Sequence, residues 1–371
     1  MNPPASPAWV NLHELAEHAR AGLPPATWAY FDGAAADGLT QRANRHSWEA
    51  WHLLPRVLRP LAHSHTQVQL PGGLTLTHPI MLAPVALQRL AHPEGEVATA
   101  LAAAAQEAGM VLSAQSSVAV ETVAQAMRSP GAGPLWFQLY WQRDRAQTLA
   151  LAQRAEAAGC QALVLTVDAP LNGVRDAERR TGFHPPPEVR AVHLPPTSPA
   201  DLPRLLACAP TWDEVVWLAQ HTRLPLWLKG VLHPEDARCA AATGAVAGLV
   251  VSNHGGRVLD TVVPTAWALP RVVAALAQEA ATHPGTVPLP VLVDGGIRRG
   301  TDVLKALALG AQAVLVGRPQ AFALATGGAR GVAQMLRLLR DELSAALALC
   351  GCRHPGEVSA ALLIPPPTLG A

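Results

Sequence analysis

The stretch VLVDGGIRRGTDVLKALALGAQAVLVG, residues 291–317, decides the fold. Its two ends, 291–294 and 313–317, are short β-branched and apolar runs, which predict buried strands. Residues 301–309 carry apolar side chains at helical spacing, and Thr301 is a residue type that starts helices. A strand, a helix and a second strand in direct succession predict a βα unit with parallel strands.

The same alternation continues through the chain from residue 79 onward. Strands are predicted at 80–83, 110–114, 135–140, 162–168, 225–229, 248–254, 291–294 and 313–317. Helices are predicted near 94–108, 120–127, 143–158, 212–221, 234–243, 266–281, 301–309 and 319–325. Near-continuous hydrophobic strands are typical of a parallel sheet that is covered on both faces. Eight βα units therefore predict an α/β fold, a closed (β/α)8 TIM barrel.

Three segments lie outside this repeat. Residues 1–78 should form an N-terminal helical cap followed by an irregular stretch, and 336–349 a closing helix. The insertion after the fourth strand is too long for an ordinary βα loop and contains Pro185, Pro186, Pro187, Pro195 and Pro196, which is typical of a lid. We expect a single domain over 1–371, with the cap at 1–78, the barrel at 79–326 including the lid at 169–210, and a C-terminal helix and tail at 327–371.

Composition narrows the class of protein. Half of the 371 residues are hydrophobic and 15% are charged, which excludes a disordered chain. The net charge of +1 offers no field for holding nucleic acid or an anionic membrane. Five cysteines indicate a reducing compartment and no metal-ligand spacing is present, so no metal is expected. Without a visible signal peptide or long apolar span, we expect a cytoplasmic protein with no nucleic-acid or membrane partner.

Lysine and tyrosine are unusually rare in this chain. Only Lys229 and Lys305 are lysines, and only Tyr30 and Tyr140 are tyrosines. Arginine cannot replace a compact ammonium group aimed at one atom, and no other residue offers a neutral phenol on a rigid ring. These residues are therefore candidates for chemistry, the alternative being that they are ordinary core or surface residues.

In a parallel barrel the chemistry lies at the C-terminal ends of the strands. The polar residues predicted at those ends are Ser113, Gln138, Tyr140, Thr166, Asp168, Lys229, Ser252, His254, Asp294 and Arg318. Both Lys229 and Tyr140 belong to this set, which strengthens their candidacy.

The segments after the last two strands predict a phosphate site. Asp294, Gly295 and Gly296 precede Arg298 in one segment, and Gly317 and Arg318 precede a helix in the other. Paired glycines let backbone amides approach an anion, an arginine provides a bidentate contact, and a helix N-terminus adds its dipole. The alternative is that these glycines serve only tight turns.

His254 lies in the segment SNHGGR, 252–257, at the end of the sixth strand. Histidine is the usual general base near neutral pH, and a carboxylate such as Asp168 would stabilise the imidazolium that forms. Arg257 in the same segment can hold an acid. The flanking glycines leave room for a ligand to approach, which distinguishes His254 from the other histidines.

These motifs resemble the FMN-dependent α-hydroxy-acid oxidase and dehydrogenase family, which includes glycolate oxidase, lactate oxidase and mandelate-oxidising enzymes. The resemblance extends from residue 10 to residue 355 and is carried by AHPEGE at 91–96, QLY at 138–140, LTVD at 165–168, SNHGGRVLD at 252–260 and DGGIRRGTDVLKALALG at 294–310.

The resemblance implies a role for each matching position. It makes His254 the catalytic base, Asp168 its carboxylate partner and Tyr140 a group near the substrate hydroxyl. The substrate carboxylate would contact Tyr30, Arg175 and Arg257, with Tyr140 beside it. The implied contacts to the FMN cofactor are Ala83, Pro84, Val85, Ala86, Ser113, Gln138, Thr166, Lys229, Ser252, Asp294, Gly295, Gly296, Arg298, Gly317 and Arg318.

The activity that the resemblance implies is oxidation of a small or medium (S)-2-hydroxy acid to the 2-oxo acid, with a homotetramer as the implied assembly. Oxygen is favoured as acceptor, giving H2O2, while a quinone or other acceptor stays open, as does the choice between hydride and carbanion chemistry. Gln115 stands where glycolate oxidases have a tryptophan, which favours lactate or an aryl-glycolate over glycolate. The remote alternatives are an FMN-barrel isoprenoid isomerase and a flavin-binding protein without catalysis.

Overall fold

A computed structural model of the chain describes residues 9–70, 73–194, 202–282 and 287–365. Its strands are β1 (His52–Leu53), β2 (Val68–Leu70), β3 (Leu74–Leu76), β4 (Ile80–Leu82), β5 (Gly109–Ser113), β6 (Leu135–Tyr140), β7 (Ala162–Thr166), β8 (Leu226–Val231), β9 (Gly248–Val251), β10 (Val291–Val293), β11 (Ala313–Val316) and β12 (Leu363–Ile364). The helices are α1 (Leu12–Gly22), α2 (Pro25–Asp32), α3 (Leu39–Ala50), α4 (Glu96–Ala105), α5 (Val120–Ala126), α6 (Arg145–Ala158), α7 (Asp176–Thr181), α8 (Leu202–Ala207), α9 (Trp212–His221), α10 (Pro234–Ala242), α11 (Thr265–Thr282), α12 (Gly300–Ala308) and α13 (Arg318–Leu349).

The barrel predicted from the sequence is confirmed. Within the described residues, β4 to β11 pair in chain order with parallel register, and β11 closes the ring on β4. Each of the eight predicted strands matches one of these, with ends shifted by a few residues. The largest shift is in β9, which ends at Val251, so that His254 lies in a following 3-10 turn, 254–256, rather than on the strand.

The barrel interior is filled by large apolar side chains. Trp136 and Trp227 pack there with ring centroids 4.9 Å apart, beside Met81 and Leu292. Because strand side chains alternate in direction, the neighbouring residues point outward and pack against the surrounding helices. The centre of the barrel is therefore a packed core, and a ligand can bind only at its ends.

A hairpin that the sequence analysis did not foresee packs against this interior. Strands β2 and β3 pair antiparallel within the stretch expected to be irregular, and Leu70 and Leu76 belong to the interior cluster. The segment has the alternating pattern of a hairpin around Gly73, whose φ of +82° suits a turn. Its strands are only three residues each, too short for the alternation to stand out.

The N-terminal helices are tied to the end of the barrel that follows β9. The Asp260 carboxylate accepts hydrogen bonds from the backbone amides of Leu39 and Thr40 at 3.1 and 2.7 Å, which caps the start of α3. Asn44 lies on the same helix, and its side-chain amide exchanges two hydrogen bonds of 2.8 Å with the side-chain amide of Asn253, which follows β9. These buried contacts fix where α2 and α3 lie relative to the strand ends.

The insertion after β7 contains two short helices, α7 and α8, and Pro195 and Pro196 of the predicted lid lie outside the described residues. Before that gap, His193 is buried: its Nε2 accepts from the Val120 amide at 2.9 Å, and its Nδ1 lies 3.2 Å from the Ser116 hydroxyl. The insertion is thereby anchored to the loop after β5, which carries Gln115.

The last two predicted helices, 319–325 and 336–349, are parts of one element, α13. It is interrupted at Gly327 and Gly328, where the backbone dihedrals are not helical and Gly328 has a φ of +55°. A Cβ at Gly328 would lie 3.0 Å from the His92 ring, so glycine suits this position on two counts.

Candidate active site

A cavity of about 1270 Å³ opens at the C-terminal ends of the strands, between the cap and the insertion. Pockets for single small molecules measure about 300–1,000 Å³, so this one has room for a cofactor and a substrate together. Eighteen of the residues predicted for the site line it: Tyr30, Ala83, Pro84, Val85, Ala86, Ser113, Tyr140, Thr166, Arg175, Lys229, His254, Arg257, Asp294, Gly295, Gly296, Arg298, Gly317 and Arg318.

The other three predicted residues, Asp168, Gln138 and Ser252, lie behind this lining and bond to residues in it. Asp168 contacts His254, Ser252 accepts a hydrogen bond from Lys229 at 2.7 Å, and Gln138 joins two lining hydroxyls. Ser113 donates to the Gln138 amide oxygen at 3.1 Å, and the Gln138 nitrogen donates to Thr166 at 2.9 Å. This series of hydrogen bonds crosses three neighbouring strands, β5, β6 and β7, and gives one wall of the cavity fixed polar groups.

His254 and Asp168 form a pair whose geometry assigns the imidazole tautomer. The distance between His254 Nδ1 and Asp168 Oδ1 is 3.0 Å, so Nδ1 carries the proton and donates it to the carboxylate. His254 Nε2 is then the nitrogen with a free lone pair. Burial alone would raise the pKa of Asp168, but His254 and Lys229 hold it below its ordinary value, and the carboxylate stays charged.

Gly230 makes room for this pair. The register of β8 against β9 shifts between Lys229 and Val231, and Gly230 has a φ of +113°. A Cβ at this position would lie 2.5 Å from the Cβ of Asp168. The bulge brings the backbone of β8 against Asp168, and only glycine permits that approach.

Lys229 is buried at the floor of the cavity beside Asp294. Its Nζ lies 2.9 Å from Asp294 Oδ2. Burial would lower the pKa of Lys229, but Asp294 and Asp168 raise it above its ordinary value, so the ammonium stays charged. The second carboxylate oxygen, Asp294 Oδ1, is buried without a partner among the described residues. An unpaired buried acceptor of this kind is available to a donor from a ligand or from water.

Two arginines that line the cavity, Arg298 and Arg318, have little counter-charge among the described residues, where the ion pair nearest to them joins Arg318 Nε and Asp32 Oδ1 at 3.9 Å. Burial, assisted by Arg45, lowers the pKa of Arg298 to about 10, and burial with Arg257 lowers that of Arg318 to about 9. Arg298 makes one side-chain hydrogen bond in the described region, to the carbonyl of Ile297 at 2.8 Å. Adjacent buried cations are stabilised by a multiply charged anion such as a phosphate group.

Arg318 and Arg257 also hold the cap in place. Arg318 donates to the carbonyls of Asp32, Gly33 and Gly255 at 3.2, 3.0 and 2.8 Å. Arg257 Nη1 donates to the carbonyls of Tyr30 and Gly33, each at 2.8 Å. The last carbonyls of a helix have no partner within it, so the C-terminal end of α2 offers acceptors suited to these guanidinium groups.

The residues predicted to hold a substrate carboxylate are brought together from the cap, the insertion and the turn after β9. The Arg257 guanidinium lies 5.6 Å from the centre of the Tyr30 ring, and both line the cavity with Arg175. Burial raises the pKa of Tyr30, and burial together with Asp168 raises that of Tyr140. Both phenols therefore stay protonated and can donate hydrogen bonds.

Sequence reasoning missed two contributors to the site. Glu178 on α7 lies 3.7 Å from Arg257 Nη2 and accepts from Arg175 at 3.1 Å. The carbonyls at the end of α2 are the other contributor. Glu178 follows Arg175 by three residues, which was a signal for a pair on a helix, but the insertion was expected to be a lid and no helix was predicted in it.

Replacing Lys229 by methionine should make the flavin cofactor that the sequence resemblance implies harder to reduce, since a fixed cation in a low-dielectric site stabilises negative charge beside it. We expect the two-electron potential to fall by about 30–60 mV, or about 1.4–2.8 kcal/mol. Spectroelectrochemistry of the purified holoprotein measures this, with Lys305→Met as the control lysine. An unchanged potential would remove Lys229 from this role.

Two features are absent from the described residues. No helix there is long and apolar enough to cross a membrane. No group of three or more histidine, cysteine, aspartate or glutamate side chains is placed to hold a metal ion in those ranges.

Comparison with known proteins identifies the cofactor. The profile of the family described as FMN-dependent dehydrogenase matches residues 19–365. An L-lactate oxidase from Roseobacter sp. (strain GAI101) is 45% identical, covering 95% of this chain and 94% of that protein. A 4-hydroxymandelate oxidase from Amycolatopsis orientalis is 42% identical, covering 94% and 96%. A crystal structure of mandelate oxidase with (S)-2-phenylpropionate superposes with a TM-score of 0.85 at 42% identity, covering 96% and 98%.

The site described above fits FMN. The buried Arg298 and Arg318 suit its phosphate, the unpartnered Asp294 Oδ1 suits a ribityl hydroxyl, and the Lys229 ammonium suits the electron-rich edge of the flavin ring. Residues from the strand ends, the cap and the insertion all meet at this one cavity. This chain belongs to the FMN-dependent dehydrogenase family.

Proposed function

We propose that this protein oxidises an (S)-2-hydroxy acid to the 2-oxo acid and that molecular oxygen then accepts the electrons, giving H2O2. The observation that carries the proposal is the His254 and Asp168 pair, 3.0 Å apart, in the same cavity as Arg175, Arg257 and Tyr30. A base beside a carboxylate-binding group is what removal of a proton from a hydroxy acid requires.

His254 Nε2 is the proton acceptor in this proposal. Its lone pair is free because Nδ1 donates to Asp168, and the negative charge of Asp168 stabilises the imidazolium once Nε2 has taken the proton. The positive φ of His254, +56°, places the residue in the left-handed region, which is uncommon for residues other than glycine although histidine is among those that adopt it more often. That conformation turns the chain sharply after β9 and is kept by the hydrogen bond from the His254 amide to Ser252 Oγ, 3.0 Å long.

The carboxylate of the acid binds between Arg175, Arg257 and Tyr30. The Arg175 Nε is buried without a partner in the described part of the chain, which leaves it available to a carboxylate oxygen. Tyr140 is protonated and lines the same cavity, so it can donate to the substrate hydroxyl or carboxylate. These contacts orient the acid with its hydroxyl toward His254, and bound FMN supplies the two-electron acceptor.

The favoured substrates are lactate and an aryl-glycolate such as mandelate. Ala86 and Gln115 line the cavity together with Trp141, Val192 and Leu194, so the wall that would meet the substrate's side chain is partly apolar. A small alanine and a flexible glutamine leave space there. The similarity to an L-lactate oxidase and a 4-hydroxymandelate oxidase supports the same choice.

A panel of acids tests this proposal. We expect anaerobic reduction of the holoprotein by (S)-lactate or (S)-mandelate to be faster than by glycolate, with the (R)-enantiomers as matched controls, because glycolate leaves the apolar wall uncontacted. Admitting air should then reoxidise the cofactor and release H2O2. Reduction by glycolate alone would overturn the substrate preference, and reduction by none of the acids would overturn the function. Reoxidation by a quinone but not by air would make the protein a dehydrogenase.

We also propose that residues 1–371 act as one unit, that the chain forms a homotetramer, and that it works in the cytoplasm. The cysteines of the described residues are unpaired, which suits a reducing compartment. Exposed apolar side chains at Leu54, Val57 and Leu58 suit contact between copies. The molar mass measured by light scattering during size-exclusion chromatography tests the tetramer directly.

A further inference from the structure

Glu178 has no part in the function proposed so far, yet it contacts the residues that would hold the substrate carboxylate. Its Oε1 accepts a hydrogen bond from Arg175 Nη1 at 3.1 Å and lies 3.7 Å from Arg257 Nη2. The side chains of all three residues are 17–18% exposed, so water screens these contacts only partly. One carboxylate oxygen is thus shared between two partly buried guanidinium groups.

The two arginines differ in how they are held. Arg257 is anchored to the cap by the carbonyls of Tyr30 and Gly33. Arg175 has no such anchor: in the described part of the chain its guanidinium donates only to Glu178, and its Nε is buried without a partner. The two cations also repel each other, since burial and then Arg175 lower the pKa of Arg257. Among the described residues, Glu178 is therefore the side chain that holds the Arg175 guanidinium beside Arg257.

Glu178 is itself held firmly. Its backbone carbonyl accepts from the Phe183 amide at 3.0 Å, and the Phe183 ring stacks on Tyr30 with centroids 4.6 Å apart. Helix α7 therefore rests on Tyr30 through Phe183 and on the arginines through Glu178. These contacts fix the backbone from which the carboxylate extends, which favours a permanent counter-charge over a group that leaves when substrate arrives.

We propose that Glu178 is the positioning residue of the substrate-carboxylate site: it holds the Arg175 guanidinium by Nη1, leaving Nε free to donate to the substrate. This rests on the proposed function, because it assumes that Arg175 and Arg257 bind a hydroxy-acid carboxylate. Glu178 lines the cavity, but in this role it contacts Arg175 and Arg257 rather than substrate or cofactor. It acts through Arg175, and its effect should be on binding rather than on the chemical step.

Pyruvate provides a probe of this site that needs no turnover. Its Kd is measured on the oxidised holoprotein from the change in flavin absorbance, alongside KM and kcat for (S)-lactate. For Glu178→Ala we expect Kd and KM to rise about 10- to 100-fold, since a misplaced binding group costs about that much. The kcat at saturating lactate should stay within about twofold of the parental value.

The conservative variant separates position from charge. Glu178→Gln keeps an oxygen that accepts from Arg175 Nη1, so its Kd for pyruvate should return to the parental value or below. Asp176→Ala is the matched control, because Asp176 is a half-exposed carboxylate on the same helix, 3.7 Å from Arg179. A Glu178→Gln variant as weak as Glu178→Ala would overturn positioning by the hydrogen bond. Tighter pyruvate binding in Glu178→Ala would overturn it too, since Glu178 would then compete with the substrate.

A comparison of single and double variants distinguishes an effect through Arg175 from a general loss of structure. In an Arg175→Ala background, Glu178→Ala should change the Kd for pyruvate little, because the residue through which it acts is gone. An equal loss in both backgrounds would show that Glu178 merely stabilises α7, and the proposal would fall. If the parental protein binds pyruvate but no hydroxy acid reduces it, the proposed function falls while the pyruvate comparison still decides the role of Glu178.

Discussion

His254→Asn is expected to abolish reduction of the flavin by the hydroxy acid while FMN stays bound. The substitution removes the proton acceptor, and general-base catalysis contributes about 10²- to 10⁴-fold, with more expected if the pair with Asp168 also stabilises the transition state. Asparagine tolerates the left-handed backbone at this position, where φ is +56°, so the turn after β9 should be preserved. Stopped-flow absorbance under anaerobic conditions measures the reduction rate at saturating acid.

The control for this experiment is His221→Asn. His221 ends α9 and is exposed, its Nδ1 lies 2.7 Å from the carbonyl of Trp217, and it does not line the cavity. This variant should reduce its flavin at the parental rate. If His254→Asn does so too, within about twofold, a general-base role worth at least about a hundredfold is refuted. His254 would then merely fill space in the cavity, and the base would have to be another residue.

Arg298→Ala should weaken FMN binding with little effect on the chemistry of the cofactor that remains bound. One charge-assisted contact to the phosphate is worth about 1.5–3 kcal/mol, which corresponds to a rise in Kd of about 10- to 150-fold. Of the two arginines expected to bind the phosphate, Arg298 is less involved in holding the fold together, because its one described side-chain hydrogen bond is to the adjacent carbonyl of Ile297. The Kd for FMN of the variant and of the parental protein is measured by titrating each apoprotein with FMN and recording the quenching of flavin fluorescence.

Arg318→Ala is expected to weaken FMN binding as well and, in addition, to lower the melting temperature of the apoprotein. Its guanidinium donates to three carbonyls of the cap and of the turn after β9, and the substitution removes all three of these hydrogen bonds. Arg299→Ala is the matched control, since Arg299 is exposed and donates to Glu342 at 2.8 Å. A parental Kd for FMN in both Arg298→Ala and Arg318→Ala would place the phosphate elsewhere.

The barrel could be predicted because each of its parts is encoded locally. Residues 291–317 show a strand, a helix and a strand by hydrophobic spacing alone, and parallel strands joined by helices have few ways to assemble. The same locality explains the errors. The hairpin of β2 and β3 has only three residues in each strand, and the turn that carries His254 is set by backbone dihedrals, which hydrophobic spacing does not report.

The site was partly predictable for the same reason. Strand ends meet at one rim, so His254 and Asp168, which are 86 residues apart, could be placed together without a structure. The nature of each contact was not predictable. Lys229 pairs with Asp294, and Gln138 and Ser252 lie behind the residues that line the cavity rather than among them.

The sequence by itself determined the fold class, the rim at which the chemistry lies and the residue types that serve it, because strand order and strand direction follow from local pattern. Only the tertiary structure decided which partners those residues have. The cap carbonyls that hold Arg257 are more than 220 positions away, and Glu178 reaches Arg257 only because α7 docks on Tyr30 through Phe183. Such contacts depend on how separate segments pack together, and hydrophobic periodicity within a segment does not encode that packing.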